Sequence, residues 1–327
     1  MTIKMCFTKH KLSNTIKLEC EIFHSKPSMA VEPKSFESEF QETDYLAAVP
    51  NIDTPPHYDL SDVIALGGLG TSHGQLWLYE PLLHNEQSPL PAKDRFLPPL
   101  GRGLVEVDEM IGQMEEDIET VVERIGKPVS IFAHSLGEHL GMAVVVKRPD
   151  LCESFFGAGG VGFGIESLTP VAGILKALLK NAKGAEDIMR DSPYMQEHIR
   201  RVTTEWSPDV PLHLMATPYD ELAKFSDTLG IELPPGQKIE KRVIVQSVPI
   251  LGWHIPGIGK LLHEGMEVPP DAELIHSPRP ALHAFLPRHP EVIKYDRQVR
   301  GNLAEQPAST PVVNTRTVRP RLHLASA

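Results

Sequence analysis

The run Val129–Gly137 is an apolar, β-branched segment that ends abruptly in a small residue, a serine and a glycine. A helix-compatible stretch follows it, so the run predicts a strand, a sharp turn and a helix in direct succession. Such a turn exposes the serine hydroxyl to a base and crowds the backbone two residues to either side. Both crowded positions, Ala133 and Gly137, are small. The run therefore predicts Ser135 as a nucleophile, with a plain helix N-cap as the alternative.

Short apolar runs and helical spacings alternate through the middle of the chain. The runs at 62–66, 153–156 and 210–216 predict buried strands, and the apolar spacing over 104–125 predicts a helix. Strands that alternate with helices through short connections are typical of a parallel sheet. The predicted fold class is therefore α/β, with a mostly parallel central sheet covered by helices on both faces.

The remaining segments differ in composition from this central part. Residues 1–60 are polar and contain prolines, which predicts a poorly ordered N-terminal arm with one short strand near 45–49. Residues 61–303 form the predicted folded domain. Within it, 157–208 breaks the alternation with two helical stretches, which predict a lid over the site or an ordinary pair of covering helices. Residues 304–327 have no periodicity and predict a disordered tail.

Charge and cysteine content limit the class of protein. A net charge of -11 offers no basic field for phosphates and argues against a nucleic-acid partner. No stretch approaches the roughly 18 apolar residues of a membrane span. The three cysteines cannot all pair, and the basic N-terminus lacks the apolar core of a signal peptide. A reducing, cytoplasmic location is expected.

A serine nucleophile needs a histidine to take its proton and a carboxylate to orient that histidine. Asp220 follows the strand at 210–216 by a turn, which is where a sheet enzyme carries its acid, although a residue there could also cap a helix. Asp209 and Asp227 are weaker candidates.

The base is predicted from its place before the last helical stretch. His283 occupies that place, but the chain has 15 histidines, so the assignment has rivals. His254 is the main one, and His276 and His289 are weaker.

Backbone amides are the expected donors to the oxyanion of the reaction. Leu136 directly follows the nucleophile, and Leu69 lies in the loop Gly67–Gly70 after the first buried strand. Glycines in that loop would let the backbone approach a substrate, while a plain tight turn is the alternative.

These motifs together resemble those of a known superfamily. The elbow Ala133–Gly137, with Leu66–Gly70 upstream and His283 downstream, is similar to the α/β-hydrolases, and within them to lipases and esterases with an H-S-L-G elbow. The resemblance covers roughly residues 60–300. It implies carboxylic ester hydrolysis through an acyl-enzyme, a small ester or acyl substrate, and no cofactor. The apolar face of the predicted lid indicates that this substrate is apolar. An acyltransferase and a non-catalytic binding protein on the same scaffold are the alternatives.

Three features depart from the family pattern. The oxyanion loop has Gly67 and Gly68 where His-Gly is common, and Glu138 follows the elbow where the family often has glycine. The stretch at 236–275, between the acid and the base, is longer than usual and has no assigned place.

Two motifs point to other chemistry. Gly157–Gly162 fits G-x-G-x-x-G, a pattern of dinucleotide sites, but no acidic strand end follows about 20 residues on, so a flexible hinge is the preferred interpretation. His134, Glu138 and His139 have the spacing H-x-x-x-E-H, which matches no zinc motif. Neither a cofactor site nor a metal site is therefore predicted.

Overall fold

A computed structural model describes the chain in segments: 2–9, 16–23, 60–103, 105–165, 186–218, 220, 228–231, 233, 236–246, 249–250, 253–254, 268–277, 281 and 283–304. The chain divides into two compact units, Met1–His57 and Tyr58–Ala327.

The smaller unit contains a β-hairpin. Strands β1 (Thr2–Lys9) and β2 (Ile16–Phe23) pair antiparallel along their full length. The sequence predicted a poorly ordered arm here and did not predict these two strands. Apolar residues occupy alternate positions of both strands (Ile3, Met5 and Phe7; Ile16, Leu18, Cys20 and Ile22), which is the period-2 signal of a strand. The strand expected near 45–49 lies outside the described residues.

The larger unit is built on a seven-stranded sheet in which every pair of neighbouring strands is parallel. The strands are β3 (Val63–Leu66), β4 (Phe96–Leu97), β5 (Val129–His134), β6 (Cys152–Ala158), β7 (Leu212–Ala216), β8 (Ile239–Gln246), β9 (Pro249–Ile250), β10 (Trp253–His254) and β11 (Ala272–Ser277). Their order in the seven-stranded sheet is β11-β8-β7-β6-β5-β3-β4, and β9 and β10 pair with each other in a separate two-stranded sheet.

Helices connect the strands. They are α1 (Glu80–Leu83), α2 (Val107–Ile125), α3 (Leu136–Lys147), α4 (Pro193–Glu205) and α5 (Pro290–Ala304). Short 3-10 helices lie at His73–Leu78, Ala92–Asp94, Leu100–Gly103, Pro149–Leu151 and His283–Arg288.

Successive residues of the central strands point to opposite faces of the sheet, and both faces are covered. In β3, Ile64 and Leu66 pack in one apolar cluster with residues of α2, α3 and α4. Val63 and Ala65 pack in the other cluster with residues of α1 and α5. All four side chains are fully buried, and such burial stabilises by about 1.5–3 kcal/mol for each large aliphatic side chain. The predicted α/β architecture is confirmed.

The sequence-predicted strands at 62–66, 153–156 and 210–216 correspond to β3, β6 and β7. The stretch at 236–275, which had no assigned place, supplies β8 and most of β11. Of the segment predicted as a lid, α4 buries Met195 and Val202 in the core as a covering helix, while residues 166–185 lie outside the described part. Among the described residues, no helix is long and apolar enough to cross a membrane.

Candidate active site

Ser135 occupies a strained turn between β5 and α3. Its φ of 56° and ψ of -127° make it the only non-glycine residue with positive φ in the described part of the chain. Such backbone costs on the order of 1–3 kcal/mol and is found most often at functional sites. A Cβ on Gly137 would lie 2.7 Å from the carbonyl oxygen of Leu66, so the turn can pass the neighbouring strand only with glycine there.

The glycine-rich loop after β3 lies against the serine. A Cβ on Gly68 would be 2.7 Å from Ser135 Cβ and 3.1 Å from its Oγ. The Thr71 hydroxyl closes the loop by donating to the Gly68 carbonyl at 2.7 Å. Leu69 follows Gly68 directly, and Leu136 is the first residue of α3. Leu136 is therefore bonded to the serine, and Leu69 is bonded to a glycine that lies against it. Their role as oxyanion donors stays a prediction.

Asp220 and His283 meet although 63 residues separate them. Asp220 Oδ2 is 2.8 Å from His283 Nδ1, and the two side chains are 1% and 5% exposed. An ionised carboxylate can only accept a hydrogen bond, so Nδ1–H of His283 is the donor and Nε2 carries the basic lone pair of the ring. This is the arrangement that a histidine base requires.

One loop connects this pair to the serine. Gly159 has a φ of 56°, and a Cβ there would lie 2.9 Å from Asp220 Oδ2 and 3.6 Å from His283 Nδ1. Two residues later, the amide of Val161 donates to the Ser135 carbonyl at 3.3 Å. The predicted acid, base and nucleophile thus all contact the backbone of the short segment 159–161.

His134 makes a second connection between the elbow and the base. Its Nε2–H donates to the backbone carbonyl of His283 at 2.9 Å, and its Nδ1 accepts from the Tyr79 hydroxyl at 3.2 Å. Burial lowers the pKa of His134 well below its ordinary value, so the ring is neutral with a defined tautomer. Burial raises the pKa of Tyr79, and the Gly68 amide interacts with the same hydroxyl oxygen. The sequence showed His134 only as part of the elbow and of the H-x-x-x-E-H spacing, and neither pattern predicts these two hydrogen bonds.

The rival residues occupy other places. His276 is exposed on β11, and His289 is buried but hydrogen-bonded to the Ser277 hydroxyl. The backbone of His254 lies in β10, and its side chain is outside the description. Asp209 lies in an exposed turn, and Asp227 is outside the described residues.

The Gly157–Gly162 motif has a structural explanation that involves neither a phosphate nor a hinge. A Cβ on Gly157, Gly160 or Gly162 would lie within 2.2, 2.0 or 2.6 Å of the Glu138 side chain. The glycines leave room for that carboxyl group. Among the described residues, no three metal-ligating side chains come together in a way that could hold an ion.

No family model matches this chain, and no curated protein matches its sequence. Solved structures that resemble it include a monoacylglycerol lipase from Paleococcus ferrophilus, 16% identical, with 74% of this chain and 93% of that chain covered and a TM-score of 0.39. A peroxisomal alpha-beta-hydrolase from Saccharomyces cerevisiae is 9% identical, with 79% and 82% covered and a TM-score of 0.41. A putative non-heme bromoperoxidase from Mycobacterium tuberculosis is 11% identical, with 76% and 95% covered and a TM-score of 0.39.

The fold assignment itself follows from the sheet. A parallel sheet with helices on both faces, and a serine at the sharp turn between a central strand and its helix, make up the α/β-hydrolase fold that the sequence predicted.

Proposed function

We propose that this protein is a serine hydrolase that cleaves a carboxylic ester through an acyl-enzyme. The observation that carries the proposal is the buried Asp220–His283 hydrogen bond of 2.8 Å, which a shared loop connects to the strained Ser135. A buried carboxylate on Nδ1 of a histidine, next to a serine at a strand-to-helix elbow, is the arrangement of an activated nucleophile.

The proposed reaction has two halves. Ser135 Oγ attacks the acyl carbon while its proton moves to His283 Nε2, and Asp220 stabilises the imidazolium that forms. The Leu69 and Leu136 amides donate to the oxyanion, a contribution of about 3 kcal/mol for each such donor. The alcohol leaves with the proton from Nε2. Water then loses a proton to Nε2 and attacks the acyl-enzyme, and the carboxylic acid departs as Ser135 regains its proton.

The proposed substrate is a small ester with an apolar acyl group. Its support is the helical spacing of leucines over 168–179 in the sequence, a segment outside the described residues. A cytoplasmic location is proposed on cysteine usage, and Cys152 is a free, buried thiol.

A panel of p-nitrophenyl esters with acyl chains of increasing length tests the proposal. The wild type is expected to hydrolyse at least one ester with a burst of p-nitrophenol, and Ser135→Ala and His283→Ala are expected to lose about a thousandfold or more in kcat. His276→Ala, at an exposed position, is the matched control and is expected to keep full activity. Wild-type protein without esterase activity on the whole panel, or an active Ser135→Ala variant, would contradict the proposal.

A further inference from the structure

Glu138 is a fully buried acid close to the site. It lies in the first turn of α3, three residues after Ser135, with 0% exposure. No lysine, arginine or histidine among the described residues lies within ion-pair distance of it. A buried charge without a partner destabilises the folded state, so an ion pair does not explain why a glutamate occupies this position.

Its surroundings are three glycines, one near the end of β6 and two in the loop that follows. A Cβ on Gly160 would lie 2.0 Å from Glu138 Cδ, and a Cβ on Gly157 would lie 2.2 Å from Oε2. On the third, Gly162, the amide donates to Oε1 at 3.3 Å. The carboxyl group and the loop therefore fit each other, and any side chain at these loop positions would displace one of them.

The surroundings of the carboxyl group favour its neutral form. Burial raises the pKa of Glu138 well above its ordinary value, and the nearby charge of Asp220 acts in the same direction. The Gly162 and Gly160 amides oppose this shift only in part. Oε2 has no hydrogen-bond partner in the described part of the chain, which a neutral acid tolerates far better than a carboxylate.

The same loop also contacts the proposed acid–base pair. Gly159 lies against Asp220 and His283, while the Thr228 hydroxyl donates to the Gly160 carbonyl at 2.8 Å. Two further titratable groups, His139 and His198, face the backbone of Gly162, and burial keeps both neutral. Glu138 and the Asp220–His283 pair thus contact the same short piece of backbone.

We propose that Glu138 is a positioning residue: its carboxyl group fills the cradle of Gly157, Gly160 and Gly162 and fixes the loop that contacts the Asp220–His283 pair. The inference rests on the proposed function. It accounts for two sequence features that the triad leaves unexplained, the glutamate after the elbow and the G-x-G-x-x-G run.

Steady-state kinetics over pH 5–9 on two variants tests it. Glu138→Gln keeps the shape and the acceptor for Gly162, and we expect kcat/KM within threefold of wild type and an unchanged pH profile. Glu138→Leu removes the acceptor, and we expect kcat at least tenfold lower with KM within threefold. Val145→Ala, buried on the same helix, is the control for a general loss of stability.

Two outcomes would overturn the inference. One is a Glu138→Leu variant that keeps wild-type kcat and pH profile while unfolding at the same urea concentration as Val145→Ala. The other is a Glu138→Gln variant whose acid limb moves to lower pH, since that would show that a carboxylate had been raising the pKa of the base. The second outcome remains decisive if Glu138→Leu does not fold.

A readout that needs no turnover separates this inference from the proposed function. The proton on His283 Nδ1 gives a downfield NMR resonance when it is hydrogen-bonded to Asp220, and His283→Ala identifies it. We expect the resonance to persist in Glu138→Gln and Val145→Ala and to shift or broaden in Glu138→Leu. The same response in a protein without esterase activity would reject the hydrolase and retain the positioning role, and a resonance unmoved in Glu138→Leu would reject the role.

Discussion

Tyr79 supports two parts of the site through one hydroxyl group. It donates to His134 Nδ1, and its oxygen interacts with the Gly68 amide of the proposed oxyanion loop. His134 in turn holds the backbone of His283. The hydroxyl therefore connects the loop beside the nucleophile with the residue proposed as the base.

Tyr79→Phe is expected to lower kcat about tenfold with little change in KM, because His134 Nδ1 loses its partner and the ring that holds His283 becomes less fixed. The free energy of unfolding should fall by about 1–3 kcal/mol, the usual cost of a buried group left unpaired. Tyr295→Phe is the control, since it removes a hydroxyl of another buried tyrosine, bonded to His213 and Glu240 on another part of the sheet. Tyr295→Phe should lower the free energy of unfolding without lowering kcat. Equal losses of kcat in both variants would contradict the link from Tyr79 through His134 to His283.

Gly159→Ala is expected to reduce kcat/KM about a hundredfold. The new methyl group would lie 2.4 Å from Leu286 Cδ1 and 2.9 Å from Asp220 Oδ2, so it would push on the acid–base pair. Gly126→Ala is the matched control, since Gly126 also has positive φ, 82°, but a Cβ there meets nothing within 4 Å. It should lose about 1 kcal/mol of stability and keep its activity. Kinetics that are equal in the two variants would show that only backbone strain matters.

At the scale of elements, helix α3 and the Gly157–Gly162 loop are fitted to each other. Gly160→Ala should destabilise the protein by about 1–3 kcal/mol, because its methyl group would overlap Glu138. Adding Glu138→Gly should restore part of that loss. Urea unfolding of both single variants and the double variant measures the coupling, and strictly additive changes would mean that the two side chains do not share this space.

Helices α3 and α4 meet through a pair of buried histidines. The ring centroids of His139 and His198 are 4.1 Å apart. Burial lowers the pKa of His198 to about 4 and holds the pKa of His139 well below its ordinary value. The unfolded chain takes up protons on both near pH 6.5 while the folded one does not. Stability is therefore expected to fall as the pH drops from about 6.5 towards 4, and the His198 share is about 3 kcal/mol.

His198→Phe should flatten this loss of stability, measured as the free energy of urea unfolding between pH 7 and 4. Glu138 has the opposite effect on stability. Because its pKa is raised in the folded state, its contribution to stability is present below about pH 4.5 and is lost as the pH rises. His276→Phe, at an exposed position, should leave the slope unchanged. An unchanged slope in His198→Phe would contradict the account of the pair.

The sequence predicted those elements whose signal is local. Strands β3, β5, β6 and β7 are apolar runs because helices cover them on both sides. By contrast, β8 carries Glu240, Lys241 and Arg242, which form ion pairs near the sheet's end. The edge strand β11 leaves Leu274 half-exposed, so neither strand has the continuous apolar run that marks a buried one.

The same distinction holds for the site. The Ser135 elbow could be predicted because its strand, turn and glycine are consecutive in the sequence. The roles of Tyr79 and Glu138 could not, because their partners lie 55 and 24 residues away along the chain. The glycine run was visible, but its meaning depends on a side chain from another element.

At the scale of the whole molecule, the site depends on the parallel order of the strands. Gly68, Ser135, Asp220 and His283 all follow the carboxyl ends of strands in one sheet, and such ends meet at one edge. Arg300 connects the last helix of the domain to residues near the start of its sequence. It pairs with Asp296 on the same helix and donates to the carbonyls of Ser61 and Leu82. Residues far apart in the chain are thereby held in one arrangement.

The central claim is that Ser135, His283 and Asp220 work as one unit, and labelling with a fluorophosphonate probe followed by peptide mass spectrometry tests it most directly. We expect a single adduct on Ser135, no adduct in Ser135→Ala, and labelling at least a hundredfold slower in His283→Ala and Asp220→Asn. Labelling of another residue, or an adduct on Ser135 that forms equally fast without the His283 imidazole, would contradict the account.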